Sequence, residues 1–412
     1  MAPLPRSPLA PDDADGRVAP VPGVRAAALP SGLRYRGRLD VALIEVPQGA
    51  TVAGLLTRSA TPGHPVAWCR RVLPAGRARA VIVNAGNANV FNGTAGDQAV
   101  LAEVRAVATA LGCSEDEVLV ASTGIIGQKL DGEAIARLVP DLVAKLDAGG
   151  LADAAQAILT TDTFPKTAAA TATIDGVTVH LSGIAKGSGM IAPDMATMLA
   201  FLATDAALPA PVLQAALQAA GERSFHCITV DSDTSTSDTV LLLASGAAGN
   251  PPIADEADPR LDDFRAALER VCRELALLVV RDGEGAEKLV EIRVNGAADD
   301  GAARRLGLAI ANSPLVKTAI AGGDANWGRV VMAVGKSGEA VDPLRLRIAF
   351  GGTVISAGGG VVEGYDEGVV TEHLAGREVS IEVDLGLGAG AATVWTCDLT
   401  HRYIDINADY RS

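Results

Sequence analysis

Apolar and polar positions along the chain alternate between two periods. Val41–Val46 is apolar-rich and strand-like, and Ala80–Val83 is a short apolar run that ends in a polar loop, Asn84–Asn89. Asp97–Leu111 carries Val100, Leu101, Val104, Val107, Ala108 and Leu111 near a 3.6-residue period, which predicts a helix stopped by Gly112. Ser114 and Glu117 have capping-box spacing, and Val118–Ala121 reads as a strand running into Ser122-Thr123-Gly124. Leu151–Leu159 predicts another helix, ending at Thr160-Thr161-Asp162-Thr163. Thr171–Leu181 is the clearest hairpin, with β-rich runs on either side of Asp175-Gly176. It delivers the chain into a glycine-rich loop over Gly183–Asp194, and Met198–Leu202 reads as the strand beyond.

Downstream, Pro209–Ala220 predicts a helix with proline in its first turn, and Leu261–Val280 one with apolar positions Leu261, Phe264, Leu268, Val271, Leu275 and Leu278. Glu287–Val294 and the segments from Leu344 to Cys397 alternate and turn often, which predicts strands with glycine-rich links. Short strands with interspersed helices predict two mixed layers of α+β type. No internal repeat and no sharp linker is visible. Met1–Pro30 holds seven prolines and an acidic patch at Asp12–Asp15, and reads as a loose or wrapping arm without the apolar stretch of a secretory signal.

Composition narrows the function classes. The 412 residues suffice for a large core, 49% hydrophobic but only 3% aromatic. A net charge of −14 with no basic cluster argues against nucleic-acid binding. No apolar run is long enough to predict a membrane span, and a cytoplasmic location is expected. Cys69, Cys113, Cys227, Cys272 and Cys397 are odd in number, far apart and free of Cys-x-x-Cys spacing, so buried free thiols are expected. The five histidines show no paired spacing, and no metal site is predicted. The Asp231–Asp238 run mixes carboxylates with hydroxyls but lacks calcium-loop spacing, and reads as a hydrogen-bonded turn.

The stretch richest in chemistry is Lys186–Leu199, Lys-Gly-Ser-Gly-Met-Ile-Ala-Pro-Asp-Met-Ala-Thr-Met-Leu. It sets Thr197 directly after a small residue, Ala196, at the end of the glycine-rich loop. A threonine hydroxyl placed there can attack the preceding carbonyl and split the chain, which makes Thr197 a new N-terminus whose amine activates its own hydroxyl. An α-amine titrates near ~8, so part of it is a free base at neutral pH, whereas a lysine near ~10.4 needs a large shift.

This fourteen-residue segment resembles the self-cleavage segment of the ornithine acetyltransferase family, with Asp194 where many members carry Asn. Further stretches match from about Val41 to Ser412: Val83–Asn89, Thr229–Thr239, Asn312–Ala319 and Gly323–Arg329. The resemblance implies an αββα sandwich of the self-processing N-terminal nucleophile type with a second lobe. It implies scission between Ala196 and Thr197, giving an α fragment (1–196) and a β fragment (197–412) assembled as α2β2. It implies transfer of acetyl from N2-acetylornithine to glutamate through acetyl-Thr197, without a cofactor; whether acetyl-CoA is a second donor is left open. Thr123 and Gly124 match the family's oxyanion hole. Thr163, Lys186, Thr197, Glu284, Asn407 and Ser412 match its substrate contacts. Other readings of the same residues are an N-terminal nucleophile aminopeptidase, in which water replaces glutamate, and a binding protein that never cleaves.

Overall fold

A computed structural model of the chain describes residues 4–14, 18–192 and 198–409. They fall into two compact units that do not follow the chain order: a larger one over 12–226 and 233–279, and a smaller one over 4–11, 227–232 and 280–409.

The larger unit is built on strands β1 (Arg25–Leu29), β2 (Val41–Leu56), β3 (Arg77–Asn87), β4 (Val118–Ile125), β5 (Lys166–Ile174), β6 (Val177–Lys186), β7 (Leu199–Thr204) and β8 (Thr239–Ala244). They form one eight-stranded mixed sheet in the order β4-β3-β2-β8-β7-β6-β5, with β1 also paired to β2. Its helices are α1 (His64–Val72), α2 (Thr94–Leu111), α3 (Gly132–Ala144), α4 (Leu151–Ala157), α5 (Ala210–Glu222) and α6 (Asp262–Arg281). Strand β2 is the spine: β1 and β3 lie along its first part and β8 along its second. Sequence predicts only its first six residues, because Pro47 and Gly49 look like terminators. Instead the register slips between Glu45 and Ala50, and Gly49 adopts φ +82°, so the ladder resumes beyond the irregularity.

Three corrections follow from how polar groups are paired. The predicted loop at Asn84–Asn89 is strand as far as Asn87. Asn84 pairs with Val41 and Ser122, its Nδ2 donates to Asn87 O (2.9 Å), and Ser122 Oγ donates to its Oδ1 (2.6 Å). The hairpin is longer than the alternating run, Lys166 to Lys186, turning at Asp175 (φ +50°) and Gly176 (φ +81°), the left-handed pair that a two-residue turn requires. The N-terminal arm is anchored: Arg25–Leu29 is a sheet strand, Val21 and Val24 are buried, and Ser182 Oγ donates to Ala19 O (2.6 Å). The expected capping box is present, closing a single 3-10 turn over Glu115–Glu117.

The smaller unit carries β9 (Leu289–Ala297), β10 (Arg347–Phe350), β11 (Thr353–Ala357), β12 (Gly360–Val361), β13 (Glu378–Asp384) and β14 (Gly390–Cys397), in the order β12-β11-β10-β13-β9-β14. Helices α7 (Asp300–Ala311), α8 (Pro314–Ala321), α9 (Trp327–Gly335), α10 (Glu367–Ala375) and α11 (His401–Asp409) accompany them. Their core gathers Val290, Ile292 and Val294 with Leu306, Ile310, Ile348 and Ile381. The α+β class predicted from sequence holds in both units. The cysteines are free, but Cys113 is only half-buried. No described helix is long and apolar enough to cross a membrane.

Candidate active site

Within the larger unit, the sheet gathers several of the predicted residues where β4 and β6 end and β7 begins. Thr123 and Gly124 precede Ile125, the last residue of β4. Gly124 pairs with Gly86 at φ +131°, and a Cβ there would meet Gly86 C at 2.3 Å, so only glycine fits. Thr123 is fully buried, and Lys186 Nζ, at the end of β6, donates to its Oγ1 (3.3 Å). An ammonium has only donors, so this bond occupies a lone pair on Oγ1 and leaves the threonine's own proton free to donate elsewhere.

Lys186 is 2% exposed, not a solvated loop lysine. Its charge is balanced by Asp162, whose Oδ2 lies 4.0 Å from Nζ. The Asp162 side chain is fully buried, accepts from Lys166 Nζ (2.7 Å) and Gly187 N (2.7 Å) at Oδ1, and from Thr160 N (3.0 Å) at Oδ2. Burial alone would raise this carboxyl, but the Lys166 ammonium, and Lys186 after it, outweigh burial and hold it below the ordinary carboxylate range. Thr163 follows on the same bend.

Lys186 pairs with Leu199, so β7 begins beside it. Ala196 and Thr197 lie outside the described residues, as does Asp194. The last described link is Met198, whose N–H donates to Asp238 Oδ1 (3.0 Å) and whose carbonyl accepts from Thr239 N (3.1 Å). Asp238 is fully buried at the start of β8. Burial pushes its carboxyl well above the usual range, against the Met198 amide, the Ser235 hydroxyl and the Lys186 charge.

In the smaller unit, Asn407 Nδ2 on α11 donates to Glu284 Oε2 (2.8 Å), so two predicted contacts meet there. Gly285, at φ +76°, lets the turn approach α11: a Cβ would meet Tyr403 N at 2.6 Å. Ser412 lies outside the described residues. Sequence reasoning passed over Asp162, Lys166 and Asp238. Each sits inside a quoted polar motif, or just beyond one, and only the fold shows it buried.

A buried hydroxyl that accepts from a lysine, a sterically obligatory glycine beside it, and a strand start fixed by a buried carboxyl come together on an α+β fold. The family is settled by sequence: residues 25–412 match the ArgJ family model, and the chain belongs to the ArgJ family. It is 57% identical to the arginine biosynthesis bifunctional protein ArgJ of Gluconobacter oxydans, over 100% of this chain and 96% of that protein. Among solved structures it is 43% identical to the ArgJ protein of Bacillus halodurans (TM-score 0.48, covering 50% of this chain and 96% of that one). It is 36% identical to ornithine acetyltransferase from Mycobacterium tuberculosis, solved with ornithine (TM-score 0.38, covering 44% and 96%).

Proposed function

We propose that this chain is an acetyltransferase of arginine biosynthesis that moves acetyl from N2-acetylornithine to glutamate. The observation that carries the proposal is family membership across 25–412, with Thr197 in register in the Lys186–Leu199 segment. In this reading the Thr197 hydroxyl attacks the Ala196 carbonyl, the C–N bond breaks, and water hydrolyses the resulting ester. The freed α-amine then takes the hydroxyl proton as Oγ attacks the acetyl carbon of N2-acetylornithine. The tetrahedral oxyanion is held by the Thr123 hydroxyl and the Gly124 N–H, ornithine leaves with the amine's proton, and glutamate's amine attacks acetyl-Thr197 in reverse.

Glu284 and Asn407 supply a carboxylate and an amide for the amino-acid ends of the substrates, with Thr163 and Ser412 as further polar contacts. Lys186 serves chiefly to orient Thr123. The two fragments stay together because β6 and β7, on either side of the cut, are paired from Leu181–Thr204 to Lys186–Leu199. An α2β2 assembly, a cytoplasmic location and acetyl-CoA as a second donor belong to the same proposal.

The test is intact-mass analysis with N-terminal sequencing, followed by an assay of ornithine release with and without glutamate. A terminus at Thr197 and glutamate-dependent release are expected. Release that ignores glutamate would assign a hydrolase, and an unbroken, inactive chain a binding protein.

A further inference from the structure

The stretch 312–319 has no part yet in the chemistry, and its lysine is buried. Lys317, on α8 of the smaller unit, is 4% exposed. Its Nζ donates to Thr396 Oγ1 (2.8 Å) and to the Cys397 carbonyl, at the end of β14, and lies 3.8 Å from Cys397 Sγ. It forms no ion pair with a carboxylate among the described residues, although Asp398 feels its charge. Burying an ammonium without a paired carboxylate is costly, and an apolar side chain of like length would fill the same space. What the lysine adds is its set of donors. The backbone is tied as well, since Leu399 N donates to Lys317 O (3.3 Å). From the other side, Asp398 Oδ1 accepts from Glu287 N (2.8 Å) and Lys288 N (2.9 Å), and Thr400 Oγ1 donates to Gly285 O (2.7 Å). The corner 396–400 is thus fastened both to α8 and to the turn that carries Glu284. It leads directly into α11, where Asn407 Nδ2 meets Glu284 Oε2 (2.8 Å).

We propose that Lys317 is a positioning residue for the substrate contact formed by Glu284 and Asn407, acting through the corner 396–400 that sets where α11 begins. The inference rests on Glu284 and Asn407 holding substrate. Helix α8 is a fixed base for it: Ser313 Oγ accepts from Val316 N (3.5 Å), and Asn312 Oδ1 accepts from Thr229 Oγ1 (2.7 Å). Without the ammonium, the Cys397 carbonyl and the Thr396 hydroxyl lose their donor, the corner shifts, and α11 shifts with it. The shift moves Asn407 against Glu284, whereas Thr123, Gly124 and Lys186 belong to the other unit. Binding should therefore suffer and the acetyl step should not.

The experiment is a double-mutant cycle on the full chain: wild type, Lys317→Met, Asn407→Ala and the double variant, each assayed for ornithine release from N2-acetylornithine at saturating glutamate. Methionine keeps the length of the side chain and removes its donors. Lys317→Met should raise KM about tenfold, the worth of one lost charge-assisted hydrogen bond, and leave kcat within about threefold. Because Lys317 acts through Asn407, the double variant should have the KM of Asn407→Ala within about twofold. A wild-type KM in Lys317→Met, a fall in kcat with KM unmoved, or two effects that multiply in the double variant overturns the proposal. If Lys317→Met does not fold, Thr396→Val takes its place in the cycle, since it removes one acceptor and keeps the ammonium on the Cys397 carbonyl. It should raise KM about threefold without multiplying the Asn407→Ala effect, and a wild-type KM or a multiplied effect overturns the proposal. A wild-type KM in Asn407→Ala would instead sink the reading of Asn407 as a substrate contact, and the proposal with it.

Discussion

Glu103 offers the sharpest stability test. It lies on α2, fully buried beside Val100, Val104 and Val107, and neither carboxylate oxygen has a hydrogen-bond partner among the described residues. Burial pushes its carboxyl up from 4.5 to about 8, with nothing opposing. The folded state therefore keeps a proton that the unfolded chain loses above its own value. Stability falls as pH rises from about 4.5 to about 8, and the cost is constant above that. At 1.36 kcal/mol per pH unit, the 2.5 units between 4.5 and pH 7 cost about 3 kcal/mol, and the full 3.5 units about 5. Replacing Glu103 with leucine removes the titration and supplies apolar contacts of similar volume. The variant should melt higher than wild type, by a margin of several degrees at pH 7 that widens from pH 5 to pH 8 and then levels. Scanning calorimetry of both proteins across that range measures it. A margin independent of pH, or a variant less stable above pH 8, would refute the assignment of an unpaired, protonated Glu103.

Asp162 has the opposite sign. Its folded carboxyl is held low by Lys166 and Lys186, so its stabilisation is full above the unfolded value near 4 and is lost as pH falls below it; Asp162→Asn should flatten the acid limb of a stability–pH curve. Gly124→Ala drives a Cβ into Gly86 C and should abolish acetyl transfer, and thermal melting separates misfolding from displacement of the proposed oxyanion donor. Thr123→Val keeps the shape but removes the proposed oxyanion donor, and should cost about 3 kcal/mol in kcat, roughly a hundredfold, in an ornithine-release assay. Thr197→Val should leave a single intact chain by mass. A C-terminal tag should impair turnover more than an N-terminal one, and equal activity of both tagged forms would count against a role for the tail.

The hairpin from Lys166 to Lys186 was legible because an Asp-Gly pair and alternating residues state their structure locally. So were α2 and α6, whose apolar stripes repeat over four turns or more. The end of β3 was not, since Asn84 looks like loop until Ser122 and Asn87 satisfy its amide. Helices α7 to α9 went unpredicted because their start signals are single side chains: Asp299, Ser313 and Asn326 each cap a first turn. At the site, the resemblance named Thr123, Gly124 and Lys186 as separate contacts. The bond joining Lys186 to Thr123 and the burial of Asp162 and Asp238 depend on strands far apart in sequence, which no local pattern encodes.

Strand β7 lies in the interior of its sheet, with β6 on one flank and β8 on the other. A break just upstream therefore creates no loose edge. Two open reading frames divided at that point, the second beginning Met-Thr, should yield by co-expression an active particle that has bypassed its own maturation, once the initiator methionine is trimmed. Such a split gene would allow the hydroxyl chemistry to be mutated without the confounding demand that each mutant first cut itself.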